Sequence, residues 1–175
     1  PKLMLKAVKP KIVSISTWKD THFQMTKLCI KMGVRVIVLE KPLANNINQA
    51  REILKLIKKT KTKVLVNHRR RFDTEIIKLK KKLEEGIIGN ILQVSSYYVY
   101  GLLTTGTHAI DTLQFLLEGL AGKIHKVHGF ENKFGNFASS DDKNYDAILQ
   151  FQNGLKVTLQ SLNIKKYDIF DFYIY

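Results

Sequence analysis

Two patterns in the sequence predict the fold class. Between Lys11 and Val66, short apolar runs alternate with amphipathic stretches, joined by connections of a few residues. Beyond about Lys123, strand-like segments follow one another with no helix between them. The first pattern is that of a parallel, doubly wound α/β sheet, and the second that of an α+β unit with a largely antiparallel, open sheet. The change of pattern places a boundary at His68, giving units of residues 1–67 and 68–175.

Taken in order, residues 2–8 read as the end of a helix stopped by Pro10, and Lys11 to Ser16 as a short strand. Thr21 to Met32 reads as a helix closed by Gly33, since glycine accepts the left-handed conformation at a helix C-terminus. Val34 to Leu39 is an apolar run and reads as a buried strand. Asn45 or Asn46 caps a helix from Ile47 to Lys59, and Val64-Leu65-Val66 is a third strand. In the second part, Asp73 to Glu85 is a basic amphipathic helix ending at Gly86, and Asn90 to Tyr100 reads as a long strand. Thr104 to Leu117 reads as a helix stopping near Gly119. Lys123–Glu131, Asn144–Gln152, Leu155–Leu162 and Tyr167–Tyr175 are strand candidates, with Asn153-Gly154 marking a hairpin. The open parallel sheet of three strands is small and the last strand closes nothing, so the expectation is a piece of a longer protein.

Composition excludes several classes. No apolar run approaches the ~20 residues of a membrane-spanning helix, and the N-terminus has no secretory pattern. The single cysteine, Cys29, cannot form an internal disulfide; it reads as a small buried hydrophobe in a reducing, cytoplasmic setting. The net charge is +14, concentrated at Lys55–Lys63 and Lys78–Lys82. These lysines lie on the polar faces of amphipathic helices and no aromatic residues interleave with them, which argues against nucleic acid and for solvated helix faces. Attraction for dinucleotide phosphates is the secondary reading. No His/Cys/Asp set has ligand spacing, so no metal is expected.

Glu40-Lys41-Pro42 is the most chemical feature. It sits where a parallel strand ends, and ligands of open α/β sheets bind just outside those ends. A lysine there can hold a substrate hydroxyl or pass a proton, and the proline restricts the backbone around it. Alone, the tripeptide reads rather as an exposed Glu-Lys pair in a turn.

Four stretches together resemble the Gfo/Idh/MocA family of NAD(P)-dependent sugar oxidoreductases. They are Val13-Ser14-Ile15-Ser16-Thr17 through His22; Glu40-Lys41-Pro42-Leu43-Ala44; Asn67-His68-Arg69-Arg70-Arg71-Phe72-Asp73; and Gly106-Thr107-His108-Ala109-Ile110-Asp111. The resemblance covers nearly the whole chain. It implies the C-terminal half of a Rossmann-type NAD(P)-binding domain followed by part of a substrate-binding and oligomerisation domain. It implies NAD or NADP as cofactor, and a sugar, cyclitol or nucleotide-sugar hydroxyl as the group oxidised. Lys41 and His108 take the catalytic roles by this resemblance, His108 as the acid/base. Thr17, Trp18, His22, Glu40, Lys41 and Arg70 would face the cofactor. Lys41, Thr104, Thr107, His108 and Asp111 would face the substrate. A homo-oligomer through the second sheet is implied as well.

The match departs from the family pattern in three places. There is no G-x-G-x-x-G, whose glycines bring backbone to the pyrophosphate, so tight dinucleotide binding is not expected of these residues alone. Thr104 stands where the family commonly has aspartate, four residues before the histidine. Thr17-Trp18-Lys19 replaces Thr-Pro-Asn: Trp18 either lies beside the nicotinamide or adenine, or covers the sheet edge, and Lys19 could meet a phosphate. The competing reading is a non-catalytic remnant or self-association module on the same fold, with the aromatic strands Tyr97–Tyr100 and Phe170–Tyr175 at its interface.

Overall fold

The three apolar runs of the first part are each long enough for one strand and are β-branched, which favours extended backbone. In the computed structural model, which describes residues 1–133 and 142–175, they form β1 (Ile12–Ile15), β2 (Val36–Glu40) and β3 (Lys63–Asn67). These pair in the order β1-β2-β3, both pairs parallel. Helices α2 (Lys19–Lys31) and α3 (Ile47–Lys58) make the crossovers, and α1 (Lys2–Val8) precedes β1. Asn46 caps α3, its side chain accepting a hydrogen bond from Gln49 N at 3.0 Å. Gly33, after α2, has φ +76°.

The core of this unit, Pro1–His68, surrounds the central strand. Ile37 and Leu39 are fully buried and pack with Leu5, Ile15, Ile30 and Val34. Each such side chain contributes about 1.5–3 kcal/mol by leaving water. Cys29 lies in the same cluster, and burial pushes its thiol up, as suits an inert apolar residue.

The second unit, Arg69–Tyr175, begins with a 3₁₀ turn, Arg69–Phe72, and α4 (Thr74–Glu84), capped by Asp73 through Glu75 N and Ile76 N. Then come β4 (Val94–Tyr98), α5 (Thr107–Ala121), β5 (Ile124–Glu131), β6 (Tyr145–Phe151), β7 (Lys156–Ser161) and β8 (Asp171–Ile174). The sheet order is β5-β6-β7-β4-β8, antiparallel throughout except for the β7–β4 pair. The β6–β7 hairpin falls at Asn153-Gly154 as expected. Its turn closes by Gly154 N donating to Phe151 O at 2.9 Å, with φ +96° at the glycine. One sheet face packs Val94, Leu149, Phe151 and Val157 against Leu113, Leu116 and Leu117 of α5.

Three boundaries differ from the sequence reading. The long strand expected over Asn90–Tyr100 is only Val94–Tyr98. Residues ahead of it instead meet the C-terminus, where Leu92 N donates to Tyr175 O at 2.7 Å, and beyond it Tyr100 and Gly101 both take positive φ. Gly119 does not stop α5, which runs to Ala121 and is closed by Gly122, with φ +73°. Gly119 instead lies against α4, since a Cβ there would sit 2.8 Å from Glu84 Oε1. The last strand is also shorter than expected, Asp171–Ile174, and one side of it pairs with β4.

Tyr98 joins the sheet to what lies above it. Its ring is fully buried, and its hydroxyl donates to Tyr145 O at 2.8 Å and accepts from Tyr145 N at 3.0 Å. Burial pushes this phenol up from 10.0 to about 12. The fold therefore favours the neutral form, and the resulting stability is complete below pH 10 and is lost as pH rises toward 12. Its size is on the order of 3 kcal/mol. Urea denaturation between pH 8 and pH 12 should show the wild type losing roughly that much more than Tyr98→Phe; parallel pH profiles would disprove the assignment.

Candidate functional site

In the first unit the chemistry gathers at the carboxyl ends of the strands. The register pairs Glu40 of β2 with Asn67 of β3, and Asn67 Nδ2 donates to Glu40 Oε1 at 2.6 Å. Lys41 follows, half-buried, and its peptide bond to the buried Pro42 is cis. Thr17 and Trp18 follow β1 at the same end of the sheet. The His22 ring, in the first turn of α2, is 1% exposed. Its Nδ1 lies 2.7 Å from Pro42 O and its Nε2 2.9 Å from Thr17 O. His22 thus ties the loop after β1 to the loop after β2, with both ring nitrogens committed to backbone. Trp18 is 85% exposed, so its indole does not cover the sheet edge.

A nicotinamide dinucleotide fits part of this arrangement. An exposed flat indole and a half-buried lysine stand at the strand ends where such ligands bind. Thr17, Trp18 and Lys41 stand at this end of the sheet, where His22 ties the loops after β1 and β2 and Glu40 accepts from Asn67. The glycine-rich cradle for the pyrophosphate is not among these residues.

In the second unit the chemistry gathers at the start of α5. Tyr100 has φ +71° and Gly101 φ +97°. A left-handed tyrosine is a true backbone outlier costing about 1–3 kcal/mol, and such strain concentrates at ligand sites. A π-turn, Leu102–Gly106, then leads into α5, a geometry itself enriched at functional sites. The turn is held by Asp142, which is 1% exposed. Its carboxylate accepts from Leu103 N at 2.7 Å, Thr104 N at 2.8 Å and Thr104 Oγ1 at 2.6 Å. Gly101 is required there, because a Cβ would stand 2.5 Å from Asp142 O and 2.6 Å from its Cγ. Thr107 Oγ1 donates to Leu103 O at 3.1 Å, and half-buried His108 is the second residue of α5.

Asp111, one helical turn further on, accepts a two-pronged bond from Arg71. Nε lies 3.0 and 2.9 Å from Oδ1 and Oδ2, and one terminal nitrogen 2.8 Å from Oδ1. That bond raises the Arg71 pKa. Arg70 lies over the Phe170 ring, 4.0 Å from its centroid, and burial lowers its pKa. Sequence reasoning named Asp111, Thr104 and Arg70 but missed the residues that hold them, Arg71, Asp142 and Phe170. No group of three or more possible metal ligands occurs among the described residues, and no helix among them is long and apolar enough to cross a membrane.

Residues 1–68 match the family model described as an oxidoreductase family with an NAD-binding Rossmann fold, GFO_IDH_MocA. The chain is 27% identical over 173 residues to the uncharacterized oxidoreductase YhhX of Escherichia coli K12, covering 90% of this chain and 48% of that protein. It is 25% identical over 202 residues to D-glucoside 3-dehydrogenase of the same organism, covering 97% and 57%. An inositol dehydrogenase homologue from Azotobacter vinelandii, solved with NADH and myo-inositol, shares the fold with a TM-score of 0.74 at 18% identity, over 94% of this chain and 47% of its own. Residues 1–68 thus match the NAD-binding Rossmann part of the Gfo/Idh/MocA oxidoreductases, and the chain as a whole is similar to proteins named as oxidoreductases and sugar dehydrogenases. It spans about half the length of these relatives.

Replacing Asp142 with alanine should destabilise the fold by about 1–3 kcal/mol, because two buried N–H groups and a hydroxyl lose their acceptor. The amides of Leu103 and Thr104 should exchange faster in the variant. Chemical denaturation and hydrogen exchange read both, and unchanged protection at these amides would show that Asp142 does not hold the turn.

Proposed function

We propose that the protein carrying these residues is an NAD(P)-dependent dehydrogenase that oxidises a secondary hydroxyl of a sugar, cyclitol or nucleotide sugar. The observation that carries this reading is Glu40-Lys41-Pro42 at the carboxyl end of β2, inside the unit that matches the NAD-binding family model. D-glucoside 3-dehydrogenase and the inositol-bound homologue support a polyol substrate.

A bound nicotinamide would supply the hydride acceptor for the carbinol carbon. Lys41 donates a hydrogen bond to the reacting hydroxyl and favours its loss of a proton. By the family resemblance His108 is assigned the acid/base role toward the substrate hydroxyl, a role suited to an imidazole. His108 sits at the first turn of α5, where the helix dipole attracts electron-rich oxygens. Thr104 and Thr107 flank it on the turn that Asp142 holds, and contribute to the shape of the polyol site.

Lys41→Ala and His108→Ala, made in the natural polypeptide that carries these residues, should each lower turnover by about 10²–10⁴-fold with an unchanged circular dichroism spectrum. The assay is nicotinamide absorbance with a panel of sugars and cyclitols. Turnover indifferent to both substitutions would favour the non-catalytic module instead.

The face of the second sheet turned away from α5 supports self-association. Tyr97 and Tyr173 meet edge to face there, 5.8 Å apart, and Phe130, Ile148 and Tyr173 are exposed. Sedimentation velocity should show a dimer or larger species that Phe130→Glu with Ile148→Lys reduces to monomer. A wild type that sediments as a monomer at micromolar concentration would refute it.

A further inference from the structure

The opposite edge of the first sheet, where the strands begin, carries a charge arrangement that the dehydrogenase reading does not use. Arg35 N donates to Lys11 O at 3.0 Å, and Lys63 N donates to Arg35 O at 2.8 Å. Two backbone hydrogen bonds thus link three cationic residues, one at the start of each strand. Lys6, Lys9 and Lys61 extend the row. Two open hollows of about 340 and 300 Å³ lie along it, sharing Lys11 and Arg35. No carboxylate lines either hollow. All six cations are exposed, and among the described residues none of them is in an ion pair.

With no carboxylate in their linings, the hollows hold positive charge without a counter-charge from these residues. Lys9 adds a second sign. It is left-handed, φ +47°, closing α1 where glycine would be the unstrained residue. The hollows share Lys11 and Arg35 and together gather six cations, which suits an anion with several charges. No Phe, Tyr or Trp lines them, so nothing offers a face on which bases could stack.

We propose that this strand-start edge binds a linear polyphosphate of three or more phosphoryl groups, seated across Lys11, Arg35 and Lys63. The site lies wholly within Pro1–His68 and is independent of any hydride transfer at the other end of the strands. The high overall charge attracts any polyanion, so the test must separate this edge from the rest.

Isothermal titration of the chain with tripolyphosphate at ~150 mM salt should show binding at least about tenfold tighter than with orthophosphate, as expected when several close charges act together. Lys11→Glu with Arg35→Glu should weaken it by about tenfold or more. Lys55→Glu with Lys82→Glu makes the same change in net charge at residues that line neither hollow, and should leave affinity within about twofold. If the first pair fails to fold, Lys61→Glu with Lys63→Glu carries the same expectation. Three results overturn the proposal. One is no binding by the wild type, and another is equal weakening by the edge and helix pairs. The third is a single-stranded oligonucleotide bound as tightly through the same edge, which would assign the surface to nucleic acid.

Discussion

Burial of β2 is the constraint on which the first unit depends. Its side chains Ile37 and Leu39 have no access to solvent, and both neighbours pair with it in parallel. Parallel pairing sends all three strands the same way. One edge of the sheet must then collect every strand end, and the other every strand start. The first holds Thr17, Glu40, Lys41 and Asn67, and the second holds Lys11, Arg35 and Lys63. Two chemically distinct surfaces thus follow from one packing requirement. His22 then draws the first edge together by bridging two loops that share no sheet hydrogen bonds.

In the second unit the corresponding decision is local and polar. The chain leaves β4 through two positive-φ residues and enters α5 through a π-turn, neither of which is a low-energy path on its own. Asp142 offsets this by accepting three hydrogen bonds from inside the turn. A buried carboxylate with three donors is well satisfied, whereas the same group with one donor removed would be a liability. The start of the His108 helix is therefore set by a residue from a different part of the chain.

Much of the fold was legible in the residues. The β-branched runs, the asparagine cap of α3 and Gly33 located the parallel sheet, because each reports a local backbone preference. The Asn153-Gly154 hairpin was legible for the same reason. The ends of β4 and α5 were not. Asn90–Gln93 looks like strand but meets the C-terminal residue instead, and Gly119 looks like a stop but sits where α4 leaves no room for a side chain. The site residues Lys41 and His108 stood out through the motifs around them. Asp142 and Arg71 could not, since an aspartate 38 residues from Thr104 and an arginine 40 from Asp111 carry no local signature of what they hold.

The parallel pairing of β4 with β7 has a consequence for how the second sheet is assembled. Fifty-seven residues lie between Tyr98 and Lys156, including a helix and a hairpin's first strand. β4 has no partner near it in sequence: one side waits for β7 and the other for β8. Closing loops of this length carries an entropic cost before any contact repays it, and topologies of this kind fold slowly. As the chain leaves the ribosome, the first sheet can be complete while β4 still exposes both of its edges. An unpaired strand containing Tyr97 and Tyr98 is then open to pairing with another chain. The residues most exposed to misassembly are thus those that later form an interior strand of the sheet.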